Sequence, residues 1–588
     1  MTPRFAIVGR LCLVAVAGVL LAGCVSLPDS SAVKSGRGAG VDKQGSLIKY
    51  SPPGPEAGAP RQAIIEGYLA AMLAFPSDPV LVRQFMSPSA AKAWHPDERL
   101  QVYEEPSIAQ VGAGLYLTAR ILGSVDTRGS WSSTTGPGAA MNLRVSMIKV
   151  DDQLRIDNPV PGTLMDADHF SRYYHQYSLY FFDPTYTLLT PDPVYLQLGT
   201  PSTTSTALVR DLLLGPTSDM AGVVQSAAPV PTRLSPSVSV SSSGYADVPL
   251  SSNVGSLQPG QIRSLAAQLA WTLRQEHVGV NHIRIKVNGR ALTVQGLGSV
   301  FSVENFHDPT ITPASRTLYA LSDKGHLFTV SSGRADPVTG PIGATEIKAR
   351  SMAINASATF AALVNEDGMT VVAGGLTQAQ SDSPAKIWFR SGSDLLRPSW
   401  DASGLLWLVD LRGRQAVLEV ATKSVSRVVD APGIAGEDVR AFALSRDGMR
   451  FAAVLGEGNQ SHLVVAMIKR NAKHLTDVSL VGRRFVVNSD FPLSNINGLA
   501  WVNPTTVVVL AQDRSSEAQP YEVSVDGSHV EPTTGFLPIR PVSVASGAGS
   551  GAPSVIGSSD GVLYVRTADE QWARLTATQK LSGPAYPG

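Results

Sequence analysis

The sequence has almost no cysteine, no excess charge of either sign and no long hydrophobic run, and each absence excludes a class of protein. Its 588 residues contain two cysteines, Cys12 and Cys24, so no disulfide framework and no cysteine-ligated metal site can exist after residue 24. Lysine plus arginine and aspartate plus glutamate both number 48. A neutral chain lacks the clustered positive charge that phosphate binding needs, so we expect no nucleic-acid partner. No apolar run reaches the ~18 residues of a membrane-spanning helix.

The residues that are abundant are those of strands and turns. Charged residues make up only 16% of the chain, while it contains 53 glycines and 40 prolines. This composition favours short strands joined by many turns over helical bundles. At about 150 residues per domain, the length allows roughly four domains.

The first 24 residues are typical of a bacterial export signal. A short basic start precedes an uncharged run over residues 11–23, which is too short to cross a hydrocarbon core of ~30 Å. The run ends in Leu-Ala-Gly-Cys24, which resembles the lipobox of bacterial lipoproteins. The resemblance implies that residues 1–23 are a signal peptide and that Cys24 is the lipidation site, which would anchor the protein to the extracytoplasmic face of the cell membrane. The alternative is a plain secretory signal with an incidental cysteine.

A tether and a first domain are predicted next. Residues 24–60 are rich in glycine, serine and proline without apolar periodicity, which is typical of a flexible tether. Ordered structure is expected from Arg61, where apolar residues fall on one face of a helix: Ile64, Ile65, Tyr68, Leu69, Met72 and Leu73. Two short helices and several strands follow, so residues 61–165 predict a small α+β module.

A second α+β module is predicted over residues 166–305. A helix over Ala207–Leu214 stops at Gly215-Pro216, and apolar residues at helical spacing predict another helix over residues 262–273. The segment resembles the GerMN domain of bacterial envelope and sporulation lipoproteins in landmarks that occur in order, Tyr180-Phe181-Phe182, residues 212–217, Ala246-Asp247-Val248, residues 269–273 and Val287-Asn288-Gly289. These landmarks are structural in kind, so Tyr180 and Trp271 are expected in the core rather than in a ligand site.

Residues 306–588 repeat. Similar apolar segments surround Ala353, Ser399, Ala443, Ala500 and Ser543, at spacings between 43 and 57 residues. A period of ~40–50 residues with several short strands per unit predicts a β-propeller. Six blades fit best, and five or seven remain possible. Asp-Gly pairs at residues 367, 447, 526 and 560 are expected to be tight turns rather than calcium loops, since each offers too few oxygen ligands.

The chain shows no pattern of a catalytic, metal or cofactor site. No two of its ten histidines have the helical spacing of a zinc protease, and no nucleophile elbow occurs at a strand–helix turn. A propeller can bring two distant carboxylates together at its centre, as a glycosidase requires, and the candidates are Asp401, Asp410, Asp430 and Glu437. We nevertheless expect a protein that is not an enzyme and that uses neither metal nor cofactor.

The order of all these segments resembles the actinobacterial LpqB lipoprotein family, down to the final Ser-Gly-Pro-Ala-Tyr-Pro-Gly. The expected fold is therefore multi-domain, with two small α+β modules followed by an all-β propeller. The resemblance implies an accessory protein that binds the extracellular region of a sensor histidine kinase, MtrB-like in an MtrAB-type two-component system, and affects cell-wall homeostasis and cell division. A protein that binds cell-wall polymer, or a propeller hydrolase, remains the alternative.

Overall fold

The chain from Tyr50 onward is described by a computed structural model. The described residues are 50–588 without the following gaps: 113, 135–138, 307–315, 332, 488–492, 514–516, 534, 536, 538, 548–552 and 576–578. Residues 50–588 form one unit. The predicted signal peptide, Cys24 and the tether as far as residue 49 lie outside the described residues.

The last part of the predicted tether is packed, contrary to expectation. The backbone N–H of Tyr50 donates to the carbonyl oxygen of Phe75 over 2.9 Å, and the N–H of Phe75 donates back over 2.8 Å. The ring centroid of Tyr50 lies 5.8 Å from that of His169, and Pro52 is buried. Backbone pairing and apolar contact therefore hold residues that the low-complexity composition assigned to a flexible segment.

The first module places helices against a sheet. Its helices are α1 (Arg61–Met72), α2 (Pro79–Arg83) and α3 (Pro88–Ala93). Its strands are β1 (Leu100–Val111), β2 (Gly114–Val125), β3 (Trp131–Ser133), β4 (Ala140–Val145), β5 (Met147–Val150), β6 (Gln153–Ile156) and β7 (Thr163–Asp166). The sheet order is β3-β2-β1-β7 with β4 also on β2, while β5 and β6 form a separate hairpin. Helix α1 buries Ile64, Ile65, Tyr68 and Met72, as the periodicity predicts.

The second module has its own core. Its helices are α4 (Ala167–Tyr173), α5 (Pro201–Leu213) and α6 (Pro259–Leu273). Its strands are β8 (Tyr174–Phe182), β9 (Leu189–Gln197), β10 (Ser239–Val240), β11 (Tyr245–Leu250), β12 (His282–Val287), β13 (Arg290–Ala291) and β14 (Phe301–Ser302). Strands β8 and β9 pair as a hairpin, and the larger sheet runs β10-β11-β12-β13 with β14 also on β12. Helix α6 connects β11 to β12, which run parallel.

Local signals explain where these elements begin and end. Helix α5 starts six residues before the predicted Ala207, because the hydroxyl of Thr200 accepts a hydrogen bond from Thr203 N–H and Pro201 stands in the first turn. It ends at Gly215, whose φ of 91° is readily adopted only by glycine. Asn288 and Gly289 have φ of 51° and 76°, which is the geometry of a two-residue hairpin turn.

From residue 318 the described residues form six sheets of four strands each. The first three sheets contain β15 (Leu318–Ser322), β16 (Leu327–Ser331) and β17 (Arg334–Pro337); β18 (Ala349–Ile354), β19 (Phe360–Asn365), β20 (Val371–Gly375) and β21 (Lys386–Phe389); β22 (Ser399–Trp400), β23 (Leu406–Arg412), β24 (Gln415–Ala421) and β25 (Ser426–Val428). The other three contain β26 (Val439–Leu444), β27 (Arg450–Leu455), β28 (His462–Asn471) and β29 (His474–Val487); β30 (Ser494–Asn503), β31 (Thr506–Gln512), β32 (Gln519–Ser524) and β33 (Val530–Pro532); β34 (Pro541–Ser546), β35 (Ser554–Ser558), β36 (Leu563–Arg566) and β37 (Trp572–Arg574). The last strand, β38 (Leu581–Ala585), completes the first sheet by pairing with β15.

The sheets surround one cavity, as expected of a propeller. The strand at one end of each sheet contributes to its lining, and these strands are β18, β22, β26, β30, β34 and β38. Because β38 belongs to the end of the chain and β15 to the start of the repeats, their pairing closes the ring. The propeller that the sequence predicts is thus present after the two α+β modules.

The Asp-Gly pairs form the expected turns. In three of them the aspartate carboxylate accepts a hydrogen bond from the N–H two residues on, at Met369, Met449 and Ser528. The glycines that follow these aspartates have φ between 66° and 76°. The aspartates therefore serve turn geometry.

Candidate functional site

The propeller meets both α+β modules at a cluster of charged side chains, which we call the domain junction. It contains Asp192 and Asp219 of the second module and Arg450, Arg484 and Asp526 of the propeller. These residues, together with Ser130 and Trp131 of the first module, line a cleft of about 480 Å³ including the space that is open to solvent.

Arg450 connects the propeller to the second module. It follows the Asp447-Gly448 turn, and its side chain is only 3% exposed. Its Nη1 lies 3.1 Å from Oδ2 of Asp447, and its Nη2 donates to the backbone carbonyl oxygen of Pro191 in β9. A buried charge is tolerated only when it is paired and hydrogen-bonded, so the position of β9 completes the environment of Arg450.

Arg484 joins all three domains. Lying in β29, it donates through Nη2 to the carboxylate of Asp219 and through Nη1 to the backbone carbonyl oxygen of Trp131, 3.0 Å away. Burial lowers the pKa of Arg484, and the nearby carboxylates of Asp526 and Asp192 act in the opposite direction. The guanidinium group thus bridges a loop of the second module and a strand of the first.

The Asp526-Gly527 turn makes a third set of contacts. Its carboxylate accepts from Nε2 of Gln176 over 3.0 Å, and its backbone carbonyl oxygen accepts from the hydroxyl of Ser133 over 3.1 Å. The hydroxyl of Tyr195 donates to Oγ of Ser528 over 2.6 Å. One propeller turn therefore touches both modules.

Asp192 is held inside the second module at the edge of the junction. Its carboxylate accepts from both the N–H and the hydroxyl of Thr217, over 2.7 and 2.8 Å. Burial raises the pKa of Asp192, while the hydrogen bonds from Thr217 and the charges of Arg450 and Arg128 counteract this effect. Thr217 ends the Leu-Leu-Leu-Gly-Pro-Thr landmark, so this landmark has a structural role.

Each charged junction group described above has its own hydrogen-bond partners, and several of these bonds cross from one domain to another, so the chemistry of this region is that of a connection between domains. Three charged side chains of the propeller, Arg450, Arg484 and Asp526, form hydrogen bonds with the two modules that precede the propeller in the chain. A polar network of this kind fixes a relative orientation, since a shifted domain would leave buried charges unpaired.

A second feature is the exposed face of the larger sheet in the second module, which we call the outer face. Alternate residues of β11 and β12 point to it, namely Tyr245, Asp247, His282, Arg284 and Lys286, while the intervening residues are buried. The rings of Tyr245 and His282 stack with centroids 4.6 Å apart and planes 12° from parallel. Tyr245 remains 44% exposed in the whole chain.

Charged side chains continue the outer face beyond the aromatic pair. Asp247 lies 2.6 Å from Nε of Arg284 and 2.5 Å from Nζ of Lys286. Partial burial raises the pKa of Asp247, but the hydrogen bonds and charges of these two cations outweigh it and hold the pKa below its ordinary value. The outer face therefore presents a fixed aromatic pair beside an ion-paired triad, two of whose members are cations.

The carboxylates considered for a catalytic pair do not meet at the propeller centre. None of the four lines the central cavity. Asp401 is buried against Arg470, 2.9 Å away, and accepts from Nε1 of Trp407. Asp410 is buried and accepts from the N–H groups of Ser393 and Asp394, which the sequence could not show because these bonds cross a loop.

The other two acids, Asp430 and Glu437, are exposed on the propeller surface. Trp271 is 5% exposed and packs at 5.4 Å against Tyr180, which is half-buried, so both are core residues as expected. In the part of the chain that the structure describes, no three His, Cys, Asp or Glu side chains are grouped as metal ligands would be. No helix between residues 50 and 588 that the structure describes is long and apolar enough to cross a membrane.

Sequence reasoning did not find the junction. Its residues are far apart in the chain, and no local motif connects Asp192 with Arg484. A weak signal is present, because Asp192 stands between two prolines and Arg450 stands between the apolar residues Met449 and Phe451. Charges inside otherwise apolar strands point to a partner elsewhere in the fold.

Comparison with solved structures finds matches of low similarity. TolB from Acinetobacter baumannii is 11% identical with a TM-score of 0.35, covering 56% of this chain and 86% of that chain. A chain of the nidogen/laminin complex is 12% identical with a TM-score of 0.35, covering 46% and 97%. Similarity at this level says nothing about activity or partners.

Three family models match successive parts of the chain. The model described as "Lipoprotein LpqB, N-terminal domain" matches residues 54–171, "Sporulation and spore germination" matches residues 178–293, and "Lipoprotein LpqB beta-propeller domain" matches residues 325–587. These are the three folded segments described above.

Curated relatives match over most of their length. "Lipoprotein LpqB" of Streptomyces coelicolor is 27% identical, covering 98% of this chain and 98% of the relative. The protein of the same name from Cutibacterium acnes is 24% identical, with 96% and 97% covered, and that from Mycobacterium tuberculosis is 26% identical, with 76% and 78% covered. Since two LpqB models match residues 54–171 and 325–587, and relatives of that name match nearly the whole length of the chain, the chain belongs to the LpqB lipoprotein family.

Proposed function

We propose that this protein is a lipid-anchored accessory protein at the extracytoplasmic face of the cell membrane. It binds and modulates the extracellular region of a sensor histidine kinase, MtrB-like in an MtrAB-type two-component system, and thereby affects cell-wall homeostasis and cell division. It is not an enzyme in this proposal. Membership of the LpqB family supports the proposal, and so does the lipobox that ends in Cys24.

The observation that carries the binding role is the outer face of the second module. Tyrosine and arginine are enriched at the energetic centres of protein interfaces, because they combine large contact area with hydrogen-bonding groups. Tyr245 stacks on His282, and Arg284 is fixed by Asp247, so these side chains lose little conformational freedom when a partner binds. Both cations of the face suit a partner surface that carries carboxylates.

The domain junction supports the same role by fixing where this face points. Arg450 links the propeller to the second module through a buried contact with the carbonyl oxygen of Pro191, and Arg484 links it to the first module through the carbonyl oxygen of Trp131. A partner that binds the outer face therefore binds a module whose orientation relative to the propeller is fixed, rather than a small domain on a flexible linker.

Binding of the purified full-length lipoprotein to the sensor's extracellular region tests the proposal. We expect saturable binding, weakened about tenfold by Tyr245→Ala, because a central aromatic anchor is worth at least ~1.4 kcal/mol. Tyr186→Ala is the matched control, since Tyr186 is a tyrosine of the same module with 46% exposure, against 44% for Tyr245. The control should bind like the parent protein.

The alternative function has a distinct outcome. Release of reducing ends or muropeptides from purified wall material by the protein would support a hydrolase. Absence of sensor binding at ~50 μM would contradict direct contact, since affinities of signalling pairs are commonly stronger than this.

A further inference from the structure

The second module exposes a valine between two prolines. Val230 stands between Pro229 and Pro231 in the segment 226–233, which we call the proline loop. The valine is 91% exposed, more than any other large apolar residue in the part of the chain that the structure describes. A single exposed apolar residue is common on protein surfaces, so the role of Val230 depends on what holds the loop and what surrounds it.

Hydrogen bonds hold the proline loop in one conformation. Nδ2 of Asn253 donates to the carbonyl oxygen of Pro231 over 2.8 Å and to Oγ1 of Thr232 over 3.0 Å. The hydroxyl of Thr232 in turn donates to the carbonyl oxygen of Pro229. Proline also restricts the backbone on both sides of Val230. The loop is therefore ordered before a partner arrives, so little conformational entropy is lost when Val230 makes a contact.

An aromatic and a cationic residue lie at the two ends of the proline loop. The hydroxyl of Tyr186 donates to the carbonyl oxygen of Ser226, the first loop residue, over 3.2 Å, and Tyr186 is 46% exposed. Arg233, the last loop residue, is exposed and is the only charged residue in the segment 220–246. Asp183, close to Tyr186 in the chain, is buried. The surface thus combines a tyrosine, an apolar tip and an arginine.

This combination of side chains is typical of contacts with a membrane surface. Tyrosine and arginine suit the headgroup region, where their apolar parts and polar ends are both accommodated, while apolar side chains enter the boundary with the acyl chains. Anionic headgroups attract an arginine that has no acidic neighbour along the chain. The bilayer is also within reach, because the chain between Cys24 and Tyr50 spans at most about 90 Å when fully extended.

We propose that the proline loop is a second contact with the membrane, in which Val230 and Pro231 enter the headgroup region of the bilayer and Tyr186 and Arg233 lie at its surface. This contact rests on the lipid anchor of the proposed function and adds an orientation to it. One apolar tip binds a bilayer too weakly to recruit a protein, so the contact forms while the anchor holds the protein at the membrane. The loop therefore orients the second module, and the domain junction passes this orientation on to the propeller.

Fluorescence of a label on the loop tests the contact. Val230→Cys in the full-length lipoprotein is labelled with the polarity-sensitive fluorophore NBD; the other cysteine of the mature chain is Cys24, the predicted lipidation site. The protein is reconstituted into vesicles of phosphatidylcholine and phosphatidylglycerol, with and without a nitroxide on the lipid headgroups. We expect a shift of the emission to shorter wavelength and loss of most of the emission when the nitroxide is present.

The matched control is Val428→Cys with the same label, since Val428 is a valine with 71% exposure in β25 of the propeller. Its emission should not respond to the nitroxide. Equal quenching at the two positions, or none at position 230, would overturn the proposal. A shift to shorter wavelength at position 230 without quenching would also contradict it, because another protein or a second copy of the chain would then cover the loop.

Lipid composition tests the role of the cation. Quenching at position 230 should decrease when phosphatidylcholine replaces phosphatidylglycerol, and Arg233→Gln should reduce this dependence. Arg427→Gln, which removes a charge from the exposed β25, should leave the dependence unchanged. Quenching that is the same in both lipid compositions would show that the assignment of Arg233 to the membrane contact is wrong.

Flotation of the same vesicles separates the loop contact from the anchor on which it rests. Labelled protein that floats with the vesicles and is quenched at position 230 supports the proposal. Protein that floats without quenching at position 230 contradicts the loop contact and leaves the anchor of the proposed function intact. Protein that does not float contradicts the anchor, and the loop contact with it.

Discussion

Arginine is buried in two regions of this protein, and the regions differ in what faces the charge. At the domain junction, Arg450 lies 3.1 Å from Asp447 and Arg484 donates to the carboxylate of Asp219. In the propeller cavity, the hydrogen bonds of Arg397 and Arg446 go to backbone carbonyl oxygens. Both regions hold guanidinium groups that are buried or half-buried, but those at the junction donate to aspartate side chains.

We expect this difference to decide how strongly the stability of the fold depends on each arginine. Where a carboxylate is present, removing the arginine leaves that carboxylate buried and unpaired, so the stability of the fold depends on the pair. Where only carbonyl oxygens are present, removing the arginine leaves no charge behind. We therefore expect the free energy of unfolding to fall more when an arginine is replaced at the junction than when one is replaced in the cavity.

The largest effect is expected from a change that removes a wall of the cavity altogether. Deletion of residues 581–588 removes β38, which pairs with β15 and closes the ring, and also removes the carbonyl oxygen of Pro584 that Arg397 contacts. The exposed edges of the open ring should cause aggregation. Gel filtration and thermal unfolding measure this, and a monomer with an unchanged melting temperature would show that the ring does not depend on β38.

The next largest loss of stability is expected from Arg450→Met at the junction. It leaves Asp447 buried without its cation, which typically lowers the free energy of unfolding by ~3–5 kcal/mol. The double variant Asp447→Asn/Arg450→Met removes both charges and should recover part of the loss. Denaturant unfolding measures the difference, and a double variant that is less stable than the single one would mean that the pair is not the cause.

The same substitution in the cavity, Arg397→Met, should have a smaller effect. It leaves only the carbonyl oxygens of Met352 and Pro584 without their side-chain donor, a loss of about 1 kcal/mol. Unfolding under the conditions used for Arg450→Met provides the direct comparison. A loss as large as that of Arg450→Met would place the cavity arginines among the structural groups and remove the distinction between the two regions.

The last expected effect concerns the pH dependence of stability that Asp211 in α5 contributes. Burial raises the pKa of Asp211 from 3.8 to about 6, opposed by Arg128 and Arg210 and reinforced by Asp126. The folded protein thus binds more protons than the unfolded chain between pH 3.8 and about 6, so this group lowers stability progressively as pH rises through that window.

Replacing Asp211 with asparagine removes this penalty. The melting temperature of Asp211→Asn should exceed that of the parent at pH 7, and the difference should vanish near pH 4, where both side chains are neutral. Thermal unfolding at the two pH values measures it. An advantage of the variant that is equal at both pH values would show that ionisation of Asp211 is not responsible.

Much of the fold could be predicted because its signals are local. Helices α1 and α6 follow apolar periodicity, Gly215 follows the end of α5, and Asn288-Gly289 forms the turn between β12 and β13. The repeat positions Ala353, Ser399, Ala443 and Ala500 all line the propeller cavity, where the end strands of the six sheets meet, and this shared position explains why they recur.

The functional regions were not predictable in the same way. The junction joins Trp131, Asp219 and Arg484, which are hundreds of residues apart, and their pairing exists only after three domains have folded. The cavity was considered for carboxylates and contains arginines instead. Arg397 and Arg446 lie beside repeat positions in loops and strand ends, where a charged residue ordinarily indicates only solvent exposure.

The central claim, modulation of a membrane sensor by a lipid-anchored protein, is tested most directly in proteoliposomes that contain the full-length sensor kinase. Its autophosphorylation rate is measured with the parent lipoprotein, with Tyr245→Ala and with Cys24→Ala. The account predicts that the parent changes the rate and that both variants do so less, one through weaker contact and the other through loss of the anchor. A rate that is the same with and without the parent lipoprotein would contradict it.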